Sequence, residues 1–202
     1  MKMQKTIPNF DEPGAAGCDE AGRGPLCGPV LAAAAVFLSR DFPDMPLITD
    51  SKKMTPKQRA AAFLWLHEMK RAGKVDFGIA ECSAAEIDKM NILKASLEAM
   101  RRATLKLKTK PDLFLIDGNK TIPGLPCKAI VKGDSKSLSI AAASILAKET
   151  RDAIMKKLDL EFPQYGWAQN AGYPTKTHLQ AIEKFGITKH HRKSYKPVGK
   201  YL

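Results

Sequence analysis

The sequence predicts an α/β domain built on a mixed five-stranded sheet flanked by helices, antiparallel in its first half and parallel in its second, with a small helical extension at its C-terminal end. Two observations predict it. Short apolar or alternating runs recur near Gly17, Pro29, Lys74, Leu113 and Lys128, each of strand length. Their order with the helical stretches is strands, helix, strand, helices, then alternating strand and helix, which fits a mixed sheet. At 202 residues and 44% hydrophobic content, the chain suffices for one well-buried core.

Residues 1–12 read as a flexible leader, and 13–202 as a single domain whose last part, about 164–202, is a basic extension. Two strands follow the leader, around Gly17–Glu20 and Pro29–Leu38, joined by a Gly-Arg-Gly-Pro-Leu-Cys-Gly turn. Thr55-Pro56 supplies an N-cap and a proline at the first helical position, and the helix runs to about Arg71. Lys74–Glu81 alternates apolar and polar residues, as a half-exposed strand does. Ser83 caps a short helix through Asp88, and Asn91 opens a longer one to about Leu107. Leu113–Ile116 is wholly apolar and reads as a central strand ending in Asp117-Gly118-Asn119. Lys128–Val131 is a further strand, and Lys132-Gly133-Asp134-Ser135 leads into an Ala-rich helix from about Ser139 to Leu158. A loop and a helix from about Thr177 to Phe185 precede a basic tail.

The formal charge is +12, from 33 Lys and Arg against 21 Asp and Glu, which favours a polyanionic partner, nucleic acid before membrane. From Lys176 onward, Lys176, Lys184, Lys189, Arg192, Lys193, Lys196 and Lys200 face one acid, Glu183. That segment is expected to lie along a nucleic-acid backbone, away from the carboxylates. Cys18, Cys27, Cys82 and Cys127 form no CxxC pair, so structural zinc is disfavoured and reduced thiols in a cytoplasmic protein are expected. No signal peptide is evident, and the longest apolar run, Val30–Leu38, is too short to span a bilayer.

The chemistry centres on Gly17-Cys18-Asp19-Glu20-Ala21-Gly22-Arg23-Gly24-Pro25. Adjacent residues on a strand point to opposite faces, so one of Asp19 and Glu20 faces inward. Gly22 and Gly24 let the backbone bend close to a ligand with the Arg23 guanidinium between them. No Gly-Lys-Ser/Thr follows, which excludes a nucleotide P-loop. Asp117 ends the most apolar strand and Asp134 stands before the Ala-rich helix. Convergence of these carboxylates would suit Mg2+ or Mn2+, hard cations that take oxygen ligands and serve phosphodiester cleavage in pairs. The plainer alternative is that Asp134 caps a helix and Asp117-Gly118-Asn119 makes a turn.

The chain resembles the type 2 ribonucleases H (ribonuclease HII). The matching pieces are Gly17–Pro25, Asp50-Ser51-Lys52-Lys53, Leu115–Asn119, Lys132–Ser135, Ala141–Lys148, Gly172–Thr175 and His190-His191-Arg192. They cover nearly the whole chain in the family's order. The resemblance implies a ribonuclease H-like fold and an enzyme that cuts the RNA strand of RNA/DNA hybrids. It also implies nicking of duplex DNA 5′ to an embedded ribonucleotide, leaving a 3′-hydroxyl. By this similarity Asp19, Glu20, Asp117 and Asp134 would bind the metal ions. Gly22, Arg23 and Gly24 would read the 2′-hydroxyl through main-chain groups, and Tyr173 would stack near the following sugar. Ser51 and Lys52, with Lys53, would hold the substrate, the lysines at phosphate. The implied partners are RNA/DNA hybrid and ribonucleotide-containing DNA duplex, bound by a monomer without a membrane; a sliding-clamp contact stays open.

The chain departs from the family's frequent His-Lys before Gly-Tyr, carrying Asn170-Ala171 instead. His190 and His191 read as solvated residues of an exposed tail, and His67 and His178 as surface residues of helices. Trp65 and Trp167 read as packing anchors, and Ser144 as a small residue permitting close helix packing. Two other classes stand beside the ribonuclease: a junction-resolving nuclease of the same general fold, which the Gly22–Gly24 turn and Tyr173 argue against, and a non-catalytic nucleic-acid-binding protein, which would leave inward carboxylates without purpose.

Overall fold

In the computed structural model, which describes residues 7–9 and 11–202, β1 (Ala15–Ala21) lies at the centre of a five-stranded sheet ordered β3-β2-β1-β4-β5. β2 (Val30–Phe37) and β3 (Val75–Cys82) run antiparallel on one side of it. β4 (Leu113–Asp117) and β5 (Cys127–Ile130) run parallel on the other. In register, Cys18 faces Ile116, so the ends of β1 and β4 that carry Asp19 and Asp117 are neighbours.

The helices start where the local chemistry allows. α1 (Pro56–Arg71) has a complete capping box between Thr55 and Gln58, and α2 (Ala84–Met90) has one between Ser83 and Glu86. Asn91 caps α3 (Ile92–Thr104), and Ser137 caps α4 (Leu138–Glu161). α3 covers one face of the sheet through a core that includes Cys18, Ala34, Ile87, Met100 and Ile116. α1 and α4 cover the other through Ala33, Ala35, Leu66, Phe77 and Ile145. The alanines of β2 keep that strand thin, so helices pack close on both sides. Gly17 takes this furthest: a Cβ there would stand 2.1 Å from the Ile140 backbone nitrogen.

β3 is more enclosed than its alternation suggested. Only Glu81 is exposed, because α3 sits on one face and α1 on the other. Even Asp76 is buried, and it accepts hydrogen bonds from the backbone N–H groups of Lys108 and Thr109. Of the leader, residues 1–6 and 10 lie outside the described residues. Asn9 bridges to Ser137, and Asp11 accepts a hydrogen bond from the Ser139 N–H at the start of α4.

α5 (Trp167–Asn170), α6 (Lys176–Phe185) and α7 (Lys196–Gly199) form the C-terminal lobe with its own small core of Leu26, Cys27, Met155, Tyr165, Trp167, Ile182 and Val198. This corrects the expectation of an exposed tail away from the site. Residues 190–192 dock on the turn after β1: the Gly28 N–H donates to the His190 carbonyl, and the Arg192 N–H to that of Leu26. Arg192 and His191 are wholly enclosed, and so is His178 on α6. The six lysines of the segment remain exposed. His67 is half-buried between the rings of Phe63 and Phe77.

Candidate active site

Asp19 sits on the α4-facing side of β1, two residues beyond Gly17, and is 8% exposed. Glu20 follows on the opposite side of the strand but at its end, half-buried. Of the two inward candidates, Asp19 is therefore the buried one. Asp19 Oδ1 accepts the Glu20 N–H at 2.7 Å, Asp117 Oδ1 accepts the Gly133 N–H at 2.7 Å, and Glu20 Oε1 stands 3.4 Å from Arg23 Nη1.

Burial, followed by the charges of Glu20 and Asp117, pushes the Asp19 carboxyl well above the usual range. Burial also raises Glu20, against the pull of Arg23 and with the push of Asp117. Asp134, in the tight turn Gly133–Ser135, is raised by burial and then by Asp50 and Asp117. Asp19, Glu20, Asp117 and Asp134 thus stand within each other's field. As the side chains lie, no three such groups among the described residues are close enough to hold an ion, since three of them are turned to local hydrogen-bond donors. The donor set is nonetheless all carboxylate oxygen and partly desolvated, which fits a hard divalent cation once side chains rotate inward.

A cleft of about 640 Å³ gathers the other expected residues. Asp19, Glu20 and Asp117 line it together with Gly22, Arg23, Gly24 and Tyr173. Ser51 and Lys52 belong to the same lining. Asp134 is not in its wall, and Lys53 is turned to Asp50 at 3.3 Å. A Cβ on Gly24 would come within 3.3 Å of the Tyr173 ring, so that turn and the half-exposed tyrosine face each other. Ser51 is buried, its carbonyl accepting from Arg59 Nη1.

Tyr173 is held from behind. His178 Nδ1 lies 2.9 Å from its carbonyl oxygen, which makes that nitrogen the donor, and Trp167 Nε1 donates to His178 Nε2 at 3.0 Å. Thr188 N–H donates to His191 Nδ1, leaving His191 Nε2 to face His178 Nε2 at 3.3 Å. Burial lowers both imidazoles, His191 to about 4, so the pair is neutral at physiological pH. Asn170 braces the same loop, accepting from the Gly172 N–H and donating to the Tyr165 carbonyl.

Sequence reasoning missed several contributors. Ser144, Lys148 and Arg151 of α4 also line the cleft, and their spacing of four and three residues is one helical stripe that could have revealed them. Asp50 lies beside Asp134, inside a segment already singled out for its neighbours.

A central parallel pair with acidic strand ends, extended by an antiparallel hairpin and backed by helices, defines the ribonuclease H class of fold. A model of the Ribonuclease HII family matches residues 16–198. The chain belongs to the ribonuclease HII family, endonucleases that hydrolyse the RNA of RNA/DNA hybrids, and this is its activity. It is 53% identical over 190 residues to a ribonuclease HII of Ruegeria sp. (strain TM1040), covering 93% of this chain and 80% of that protein. The crystal structure of ribonuclease H2 from Pyrococcus horikoshii OT3 superposes with a TM-score of 0.74 at 28% identity, covering 93% of this chain and 96% of the other. The Bst ribonuclease HIII crystallised with Mn2+ has the same fold, with a TM-score of 0.72 at 18% identity over 97% of this chain and 70% of that one.

Proposed function

We propose that this ribonuclease recognises the ribonucleotide itself and cuts on its 5′ side, both in RNA/DNA hybrids and at single ribonucleotides embedded in duplex DNA, leaving a 3′-hydroxyl. The observation that carries this reading is the cleft in which Asp19, Glu20 and Asp117 meet the Gly22–Gly24 turn and Tyr173. Asp19, Glu20, Asp117 and Asp134 would hold Mg2+ or Mn2+. The Mn2+ bound by a ribonuclease HIII of the same fold supports that choice. Such ions, when bound, activate water and neutralise charge at the phosphate.

The protein's own groups do the rest. Main-chain groups of Gly22, Arg23 and Gly24 are suited to the 2′-hydroxyl, which alone distinguishes RNA from DNA at one position. The Tyr173 ring, facing Gly24, stacks on the sugar that follows. Lys52 and the Arg23 guanidinium lie at the cleft edge, where phosphate passes, and the exposed lysines of α6 and beyond add affinity along the duplex. The protein acts as a monomer in the cytoplasm. The test is nicking of a labelled duplex with one ribonucleotide, with and without Mg2+. Metal-dependent cutting 5′ to the ribonucleotide, with an all-DNA duplex untouched, supports the reading; cutting only within long RNA tracts overturns it.

A further inference from the structure

Arg192 is a charged side chain with no exposure at all, some 170 residues from the groups it binds. Nε donates to the Gly28 carbonyl at 3.1 Å, and Nη2 to the Gly22 carbonyl at 2.6 Å. Nη1 donates to the Arg23 carbonyl and to Tyr195 Oη, each at 3.0 Å, and Tyr195 Oη in turn donates to the Arg23 carbonyl at 2.5 Å. Burial lowers the pKa of the guanidinium, yet an arginine this well supplied with acceptors keeps its charge. Such a group cannot reach a phosphate on the outside of the duplex. Besides the Tyr195 hydroxyl, its partners are three carbonyls of a single turn, the one whose Gly22 and Gly24 line the cleft.

The direction of those carbonyls has a consequence. In a trans peptide the C=O of one residue and the N–H of the next point opposite ways, and no cis bond occurs among the described residues. Fixing the Gly22 and Arg23 carbonyls on Arg192 therefore turns the Arg23 and Gly24 N–H groups away from it, in residues that also line the cleft. Glycine at position 22 has φ +96° and would not hold that orientation unaided. Arg151 braces the far end of the same turn, donating to the carbonyls of Pro29 and Cys27, and reaches the Ala171 carbonyl beside Tyr173.

We propose that Arg192 is a positioning residue for ribonucleotide recognition: it fixes the peptide planes of the Gly22–Gly24 turn so that their N–H groups face the 2′-hydroxyl, without touching the substrate. This deepens the reading of the cleft given above and rests on it. The test uses the full chain with Arg192→Lys, which keeps the charge but not the planar fork, and Arg192→Ala, each assayed on a duplex with one ribonucleotide and on a long RNA/DNA hybrid. For Arg192→Lys, we expect kcat/KM to fall about tenfold or more on both substrates, since each presents a 2′-hydroxyl to the turn, in a protein that stays folded by circular dichroism and with an unchanged metal concentration at half-maximal rate. We also expect millimolar guanidinium ion to restore part of the activity of Arg192→Ala. Wild-type kinetics in Arg192→Lys on both substrates would overturn the inference, as would losses that follow the unfolded fraction measured by circular dichroism. A wild-type protein that does not nick at the single ribonucleotide would overturn the underlying reading as well, so the two failures are told apart by the unmutated chain.

Discussion

Gly17→Ala isolates the contact that brings β1 and α4 together. Gly17 does not have a positive φ, so the new methyl introduces no backbone strain and its effect is steric. Its Cβ would lie 2.1 Å from the Ile140 nitrogen, 2.3 Å from the Ser139 carbonyl carbon and 2.7 Å from the Ile140 Cα. All three are backbone atoms that no side-chain rotation can move. Restoring an ordinary separation requires the helix start to retreat by more than about 1 Å. Overpacking in a closed core costs about 1–3 kcal/mol, and a clash between two backbones belongs at the upper end. For a chain of this size, about 3 kcal/mol lowers Tm by roughly 6–12 °C. Differential scanning calorimetry measures that directly. Asp19 follows two residues later on the same face, so cleavage should also fall at temperatures where the variant is fully folded. A Tm within about 2 °C of the wild type would refute the claim that the helix lies against that glycine.

Asp19→Asn or Asp117→Asn should remove nearly all cleavage while hybrid affinity, carried by the basic surface, stays within a few-fold; near wild-type nicking in saturating Mg2+ would count against the metal assignment. Tyr173→Ala should cost roughly 1–3 kcal/mol on a single embedded ribonucleotide and less on uniform hybrid; equal losses on both would make the ring merely structural. Asp76 gives a pH signature. Burial pushes its carboxyl up, but hydrogen bonds from Thr109 and Lys108 and its pairing with Lys70 at 3.1 Å hold it below the ordinary value. Its stabilisation is complete above the unfolded carboxylate pKa, about 3.9, and is lost as pH falls through the lower folded value. Urea unfolding should therefore show Asp76→Asn weaker than wild type at pH 7, with the gap closing in acid; a gap that does not change with pH would refute this.

Much of the fold could be read from local chemistry. Thr55-Pro56, Ser83 and Asn91 each announced a helix start because a cap acts within a few residues of itself. The strands followed from apolar runs, whereas the adjacency of Asp19 and Asp117 rests on the parallel pairing of β1 with β4, which no local signal specifies. What escaped was set by contacts distant in sequence. β3 alternates like a half-exposed strand, yet Asp76 is sealed by the chain that follows α3. His178, His191 and Arg192 are polar residues in a basic stretch, which usually means solvent; only docking on the turn after β1 makes them interior. Residue types also outran their immediate geometry: the carboxylates belong together by chemistry, while in this structure Asp19, Glu20 and Asp117 each lean on a local donor.

The distance between Arg192 and the turn it grips bears on how the molecule comes into being. A ribosome delivers residues 22–28 long before residue 192, and domains generally fold from the N-terminal side as they emerge. The sheet centre can form once β4 is available, but the carbonyls of Gly22, Arg23 and Gly28 then lack their guanidinium partner. Closing a loop this long is among the last and slowest kinds of event in folding, because its entropic cost precedes any reward. On the proposed role of Arg192, a chain stopped short of it would carry its carboxylates without a settled turn at Gly22–Gly24, and discrimination between RNA and DNA would be gained only once residue 192 is in place.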